Sequence, residues 1–517
     1  MRFIWFGLFL LSFNTYSLDF NKYCSYTQGE QDCSLEFIQA LNDASENKDS
    51  IYFEAGEIFN IRSVDTREME INNVRLIGIT EEGTKPSILT DKFHLFDISN
   101  LFITNIEFSG IHNEIGDTEQ GTSIIILGTK NKEEKASNIT VTNSTFNESA
   151  EDLLAIWNSR NVIINNNIFK RSGLALRTQV SENNPSDLRP AGSGLLFFNV
   201  DEANISHNQF YEMKKVAMYF HAEEIVNKNV DVIDNYIDME NFEKPTQRYG
   251  LLGGAGIYIG NSPNFYNFRV QGNRILNYKG NAVRVNGSKM LVKNNFINFR
   301  GQCNDMDSTI SDGAGIAIKA HYLKNSVIEG NCFQNTIAGI SLESWDVIKE
   351  VTLSNNTIHN TENAIFVTYR NTATYSNLLI DRNRLFGTTN YGIAFFSNGL
   401  SHSNRVTGNT IATSHQKFGG PLIAIRNQEK FYFNNNYVQG QATSPNWNHL
   451  VLTNVSNSTF IRSEFRSPNG EDSHFGGIYI RDSKSANNKF DTITFTKLDP
   501  GYTDDGTNNS FTNITYQ

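Results

Sequence analysis

The sequence is poor in charge and in proline. Charged residues make up 19% of its 517 residues, and there are 9 prolines against 37 glycines. An average soluble protein carries roughly 25% charge. With aromatic residues at 12%, this texture excludes a disordered chain, which needs many charges and few aromatics. Positive charge is also short, 44 Lys and Arg against 55 Asp and Glu for a net charge of -11. No basic face is available to neutralise phosphates, so nucleic acid is excluded as a general partner. An acidic ligand would need a local positive patch.

Long apolar runs are missing except at the amino terminus. There Arg2 gives a short positive region, Phe3 to Phe13 an apolar run, and Thr15-Tyr16-Ser17 a small-residue end. The run is too short to span a bilayer and reads as a signal peptide over residues 1–17. That predicts a secreted or periplasmic protein with no membrane span. Cysteine is scarce: Cys24, Cys33, Cys303 and Cys332 are the four present. An even number in an exported chain favours disulfides, with Cys24–Cys33 and Cys303–Cys332 as the preferred pairing. Free thiols and zinc are the alternatives, although no CxxC spacing occurs.

What the chain has in abundance is one returning phrase, alternating apolar residues followed by an Asn-rich turn. It appears as Ile163-Ile164-Asn165-Asn166-Asn167-Ile168-Phe169 and as Val270-Gln271-Gly272-Asn273-Arg274-Ile275. Asn331, Asn356, Asn383, Asn409 and Asn436 mark further copies, at steps of 25, 27, 26 and 27 residues. A leucine-rich repeat would need a Leu ladder, and a propeller blade about 40 residues. The remaining solution is an all-β parallel solenoid whose turns each give two or three short strands and stack at about 4.8 Å. In-register Asn side chains satisfy one another and the adjacent backbone, so the Asn ladder reads as structural, not catalytic. Sites such as Asn138-Ile139-Thr140 are by-products of it. Upstream, Leu35, Phe37, Ile38 and Leu41 fall at helical spacing within Ser34 to Ala44, followed by a strand at Ile51-Tyr52-Phe53 and a turn at Gly56. Such a helix would cover the open end of the solenoid. The predicted organisation is an N-terminal cap over 18–70 and a parallel β-helix over 71–517, with about fourteen coils.

The coil phrase, the helical cap and the export signal resemble the right-handed parallel β-helix proteins of the pectin-lyase-like superfamily, over roughly residues 20–517. The resemblance implies a right-handed solenoid. For activity it implies a set that includes polysaccharide lyases, glycoside hydrolases, epimerases, phage depolymerases and adhesins.

A second phrase, Gly-Ile-x-Ile-x, recurs at Gly256, Gly315, Gly339 and Gly477. If its Ile residues point inward, the x positions point outward. Aligning the strands gives one outer column containing Trp157, Phe198, His221, Gly260, Asn286, Lys319 and Glu343. A second column, two residues earlier on each strand, contains Ala155, Leu196, Tyr219, Tyr258, Arg284, Ala317 and Ser341. His221, Tyr219, Tyr258, Arg284, Lys319 and Glu343 thus gather within roughly 20 to 25 Å, an oligosaccharide's length.

That cluster suits β-elimination of an acidic polysaccharide. A proton beside a uronate carboxylate becomes removable once a cation neutralises the carboxylate and stabilises the enolate-like transition state. Arg284 is the candidate neutraliser. Lys319, His221 or Tyr258 is the candidate base, and a Tyr or His returns the proton. Trp157, Phe198, Tyr219, Trp345 and Tyr369 offer rings for sugars, and Glu343 a further substrate contact. The plain structural alternative pairs Arg284 and Lys319 with Glu343 on a solvated face. Lyases of the alginate lyase and chondroitinase B type use a Lys base and an Arg on neighbouring coils. Arg284 and Lys319 on successive coils resemble that arrangement, in reverse chain order. A hydrolase would need paired acids, for which Glu343 with Asp346 or Glu223 with Glu224 are candidates. No cofactor is required by the lyase reading, although Asn304, Asp305, Asp307 and Asp312 suit Ca²⁺. The expected partner is an acidic polysaccharide, and the rival from another class is a non-catalytic glycan-binding or adhesion solenoid.

Overall fold

The computed structural model describes residues 17–517 except 25–27, 68, 111–123, 174–175, 179–187, 191, 223–225, 240–253, 261, 299–302, 304–314, 345–346, 370–373, 414–419, 441–447, 468–475 and 499–500. The described strands pair in parallel, each with its counterpart one coil on, and a single antiparallel pair joins Leu176–Thr178 to Leu188–Pro190. Along one face, fifteen successive pairings carry the register from Val64 through Ile257, Ile318 and Ile423 to Tyr502, which makes sixteen rungs. This is two more than the repeat count suggested.

Alternation explains why these segments are strands. In Phe265–Gln271, Phe265, Phe268 and Val270 are buried while Tyr266 is exposed. Equivalent inward positions on successive coils stack like with like: Phe108, Phe146, Phe169 and Phe210 lie face to face at 5.4, 4.9 and 4.7 Å. These offset stacks fill the core at aromatic contact distance.

The Asn ladder is present and structural. From Asn167 through Asn208, Asn235, Asn273, Asn295, Asn331, Asn356, Asn383 and Asn409 to Asn436, each Nδ2 donates to the next Oδ1 at 2.9 to 3.1 Å. Each turn needs a left-handed residue immediately before its ladder Asn, for example Asn166 (φ 57°), Asn355 (φ 54°) and Gly330 (φ 64°). Asn and Gly enter that region most cheaply, so the doublet Asn-Asn or Gly-Asn marks the turn.

The N-terminal helix spans Ser34–Asn47 and ends on Lys48 in the left-handed conformation (φ 56°). It buries Phe37, Ala40, Leu41 and Ala44, and the Phe37 ring meets Phe20, Phe53 and Phe93 across the solenoid's open end. Leu35, expected on that apolar face, is instead 79% exposed. It lies two residues from Phe37, about 200° around the helix. The strand Ser50–Phe53 and the positive-φ turn at Gly56 follow as expected. Both disulfides pair as preferred, Cys24 with Cys33 and Cys303 with Cys332, at Cα separations of 5.8 and 5.7 Å, and such bonds persist in oxidising compartments. Residues 1–16 of the proposed signal peptide lie outside the described residues; Ser17, assigned to its end, opens the strand Ser17–Asp19 beside Ser50–Phe53. No helix among the described residues is long and apolar enough to cross a membrane.

Candidate active site

The register corrects one position in each of the two outer columns. Tyr219 pairs with Tyr258, Tyr258 with Arg284, Arg284 with Lys319, and Lys319 with Ser341. Lys319 therefore stands in the Tyr258–Arg284 column, where Ala317 was expected, and not between Asn286 and Glu343. The cause is a slip of two residues. Ile318, not Ile316, is the rung that follows Ile257 and Val283, and a two-residue shift leaves every side chain on the same face. The correction tightens the cluster, because four candidate residues now occupy four consecutive rungs.

Those rungs lie on Val216–His221, Ala255–Ile259, Asn281–Arg284 and Ile316–Ala320. The Tyr219 and Tyr258 rings meet edge to face at 5.1 Å. The Arg284 guanidinium sits 4.9 Å above the Tyr258 ring, so it leans toward the preceding coil. Lys319 leans to the following one, with Nζ 2.8 Å from Glu343 Oε1. On the adjacent column, His221 Nδ1 lies 3.3 Å from the Tyr219 hydroxyl. His221 and Glu343 are four coils apart, about 19 Å at the strand spacing, and cannot act on one bond.

Burial sets the electrostatics. Arg284 is only 6% exposed, has no ion-pair partner among the described residues, and its Nε has no acceptor. Burial pushes its guanidinium down from the ordinary value, while Tyr258, Glu343 and Tyr219 favour the charge; an arginine remains protonated nonetheless. Burial and the neighbouring Tyr258 push the Tyr219 phenol up to about 12. It therefore stays neutral and can donate a hydrogen bond. Lys319 is matched by Glu343, so Arg284 is the cation of this cluster without an ion pair among the described residues.

His321 was not anticipated. It directly follows Ile316–Ala320 and is buried, and Nδ1 donates to the Glu343 main-chain oxygen at 2.8 Å. Burial pushes it down to about 4, and the cations Arg284 and Lys319 act in the same direction. It is a neutral brace behind the Lys319–Glu343 pair. A lone His at a strand end carries no sequence signal for that role.

Trp157 belongs to an aromatic run. Its ring packs between Phe96 and Phe198 at 6.2 and 6.1 Å, and Phe198 stacks on His221 at 5.2 Å. This run leads along the face to Tyr219. Trp345, Asp346, Glu223, Glu224, the 304–307 segment, Asp312 and the side chain of Tyr369 lie outside the described residues. Among the described residues no group of three or more His, Cys, Asp or Glu is placed to hold a metal.

Residues 91–299 and 248–411 match the family described as right handed beta helix region. The chain belongs to that family. Among solved structures, this β-helix has the pectin-lyase-like fold. It is similar to a double mutant of the tailspike protein of E. coli bacteriophage HK620 in complex with a pentasaccharide, at 10% identity over 89% of this chain and 78% of that one, TM-score 0.50. It is also similar to an exopolygalacturonase from Thermotoga maritima, at 12% identity over 80% of this chain and 91% of that one, TM-score 0.44. No curated protein matches the sequence.

Proposed function

We propose that this β-helix cleaves a uronate-containing polysaccharide by β-elimination on the face formed by Tyr219, Tyr258, Arg284 and Lys319. The observation that carries the reading is Arg284: a buried guanidinium hydrogen-bonded to Tyr258 but with no ion pair among the described residues, its Nε lacking an acceptor. A buried cation in that state has uncompensated charge for an incoming carboxylate. The tailspike's bound pentasaccharide supports an oligosaccharide as the ligand of such a solenoid.

In this reaction Arg284 neutralises the uronate carboxylate, which lets the adjacent C5 proton leave. Lys319 is held by Glu343, so the base is Nε2 of His221, in the tautomer whose Nδ1–H donates to the Tyr219 hydroxyl oxygen. The C5–H electrons form the C4–C5 double bond, the C4–O bond breaks, and the Tyr258 hydroxyl protonates the departing oxygen. Lys319 adds positive potential one coil on.

The test is incubation with alginate, pectate and glycosaminoglycans, following unsaturated-product absorbance together with reducing ends. The two should rise together in the wild type. In Arg284→Met, which keeps a long side chain over Tyr258, turnover should fall by about 100-fold or more, while thermal unfolding stays close to the wild type, because the lost cation has no ion-pair partner among the described residues. Reducing ends without absorbance would establish hydrolysis, and silence in both with retained binding would establish an adhesion solenoid.

A further inference from the structure

The same face continues past the cluster into a cleft of about 420 Å³ lined by Tyr391, Phe396, Ala424, Arg426, Thr453 and Arg481, among others. Its place follows from the register. Lys319 leads through Ser341, Phe366 and Ala394 to Ala424, four coils on, and Arg426 stands two residues beyond Ala424 on the same strand. Arg426 pairs with Thr453, and Arg481 follows Ile480, the partner of Leu452. At the strand spacing the two guanidinium-bearing positions stand about 19 and 29 Å along the axis from Lys319.

Three features make this cleft a receptor for an acidic sugar. Arg426 and Arg481 are exposed, and neither has an ion-pair partner among the described residues. The acid in the lining, Asp482, commits Oδ1 to the Asn454 and Ser485 amides and the Ser485 hydroxyl. Beside them Tyr391 and Phe396 meet edge to face at 5.4 Å, and Phe396 also contacts Phe366 at 5.7 Å. The aromatic wall therefore begins on the rung that leads back toward Lys319. An aromatic wall, the Thr453 hydroxyl and two arginines about two coils apart suit a ring carrying hydroxyls on its edge and a carboxylate at its rim.

We infer that this cleft is a distal subsite that binds a carboxylate-bearing sugar of the same chain whose bond is broken near Arg284. The inference rests on the reading of this face as a uronate-polysaccharide site. It makes the protein a reader of chain length, because only an oligomer reaching the arginines gains their contacts.

Calorimetric titration with uronate oligosaccharides of increasing length tests it. Affinity should step up by tenfold or more once an oligomer spans from Arg284 to the cleft, and R426A/R481A should erase the step while binding short oligomers unchanged. Both arginines are exposed, so the variant folds. A step that survives in R426A/R481A, a wild type with no step, or an equal step for neutral oligomers of matched length overturns the inference. The failures are separable. An Arg-dependent step without unsaturated product removes the lyase reading and keeps the subsite. Unsaturated product with an unchanged KM for polymer in R426A/R481A keeps the lyase and removes the subsite.

Discussion

Lys319 and Glu343 show how one pair of side chains can be both scaffold and site. The pair is 2.8 Å apart with side chains only 5% and 15% exposed, so neither charge is well solvated. Removing one partner leaves a buried charge uncompensated, which costs about 3–5 kcal/mol, whereas replacing both is far milder. Glu343→Gln and Lys319→Met should each lower the denaturation midpoint markedly, and the double variant should recover most of the loss. Equal midpoints for all four proteins would reduce the pair to a surface contact. The site residues were legible as a set because all face outward at period two. Their order was not, because Gly315-Ile316-Ala317-Ile318-Lys319 imitates Gly256-Ile257-Tyr258-Ile259-Gly260 and only tertiary pairing selects Ile318 over Ile316. His321 was silent for a different reason: its role lies in a main-chain acceptor on the next coil.

The turn between strands is the element that makes the coils stack. Asn383 donates its N–H and Nδ2 to Asn409 Oδ1 and Nδ2 also to the Leu353 carbonyl, and its own Oδ1 accepts two bonds from Asn356. Asn383→Ala would leave several buried groups unsatisfied, each costing about 1–3 kcal/mol. A second series, Asn100, Asn138 and Asn161, also joins by amide-to-amide bonds, but in solvent. Asn138 needs only its left-handed backbone (φ 57°), which glycine supplies. Asn138→Gly should therefore shift stability by about 0.5 kcal/mol or less, against a loss of at least about 3 kcal/mol for Asn383→Ala. Thermal unfolding of the two variants side by side checks the contrast, and equal shifts would mean that burial does not distinguish the ladders. In the sequence the two kinds of Asn look alike. The ladder was readable where its step held near 26 residues, and the capping helix from its apolar spacing, but Leu35 was misplaced because spacing alone does not say where an apolar face ends.

At the scale of the whole molecule, each coil is stabilised by its two neighbours, so a fault in one rung is felt along the stack. The period made the solenoid legible, and the insert before Ile316 concealed its phase, since extra residues erase the count on which alignment depends, whereas the phase held across the insert before Ala255. His449 shows how one buried group can link several rungs to pH. Its Nε2–H donates to the Gly440 and Arg466 carbonyls, and Nδ1 accepts the Gly477 amide. Every ring nitrogen is committed in the neutral form, and burial pushes the imidazole down to about 4. His321 is pushed down to a similar value. Above the unfolded-chain value near 6.5 both states of the protein hold these rings neutral, and the stability is fully present. Between about pH 6.5 and 4 the unfolded chain takes up protons that the folded chain refuses, so stability falls with pH, by roughly 3 kcal/mol for a group shifted this far. Protonating His449 would also set a second N–H against the Gly477 amide, on the coil that carries Ile478–Ile480. The urea midpoint should therefore drop steadily from pH 7 to 4.5, and His449→Asn should flatten part of that slope after an initial loss at neutral pH. A slope unchanged by the substitution would assign the acid sensitivity to the carboxylates instead, and would leave His449 as a packing residue in an otherwise self-sufficient stack.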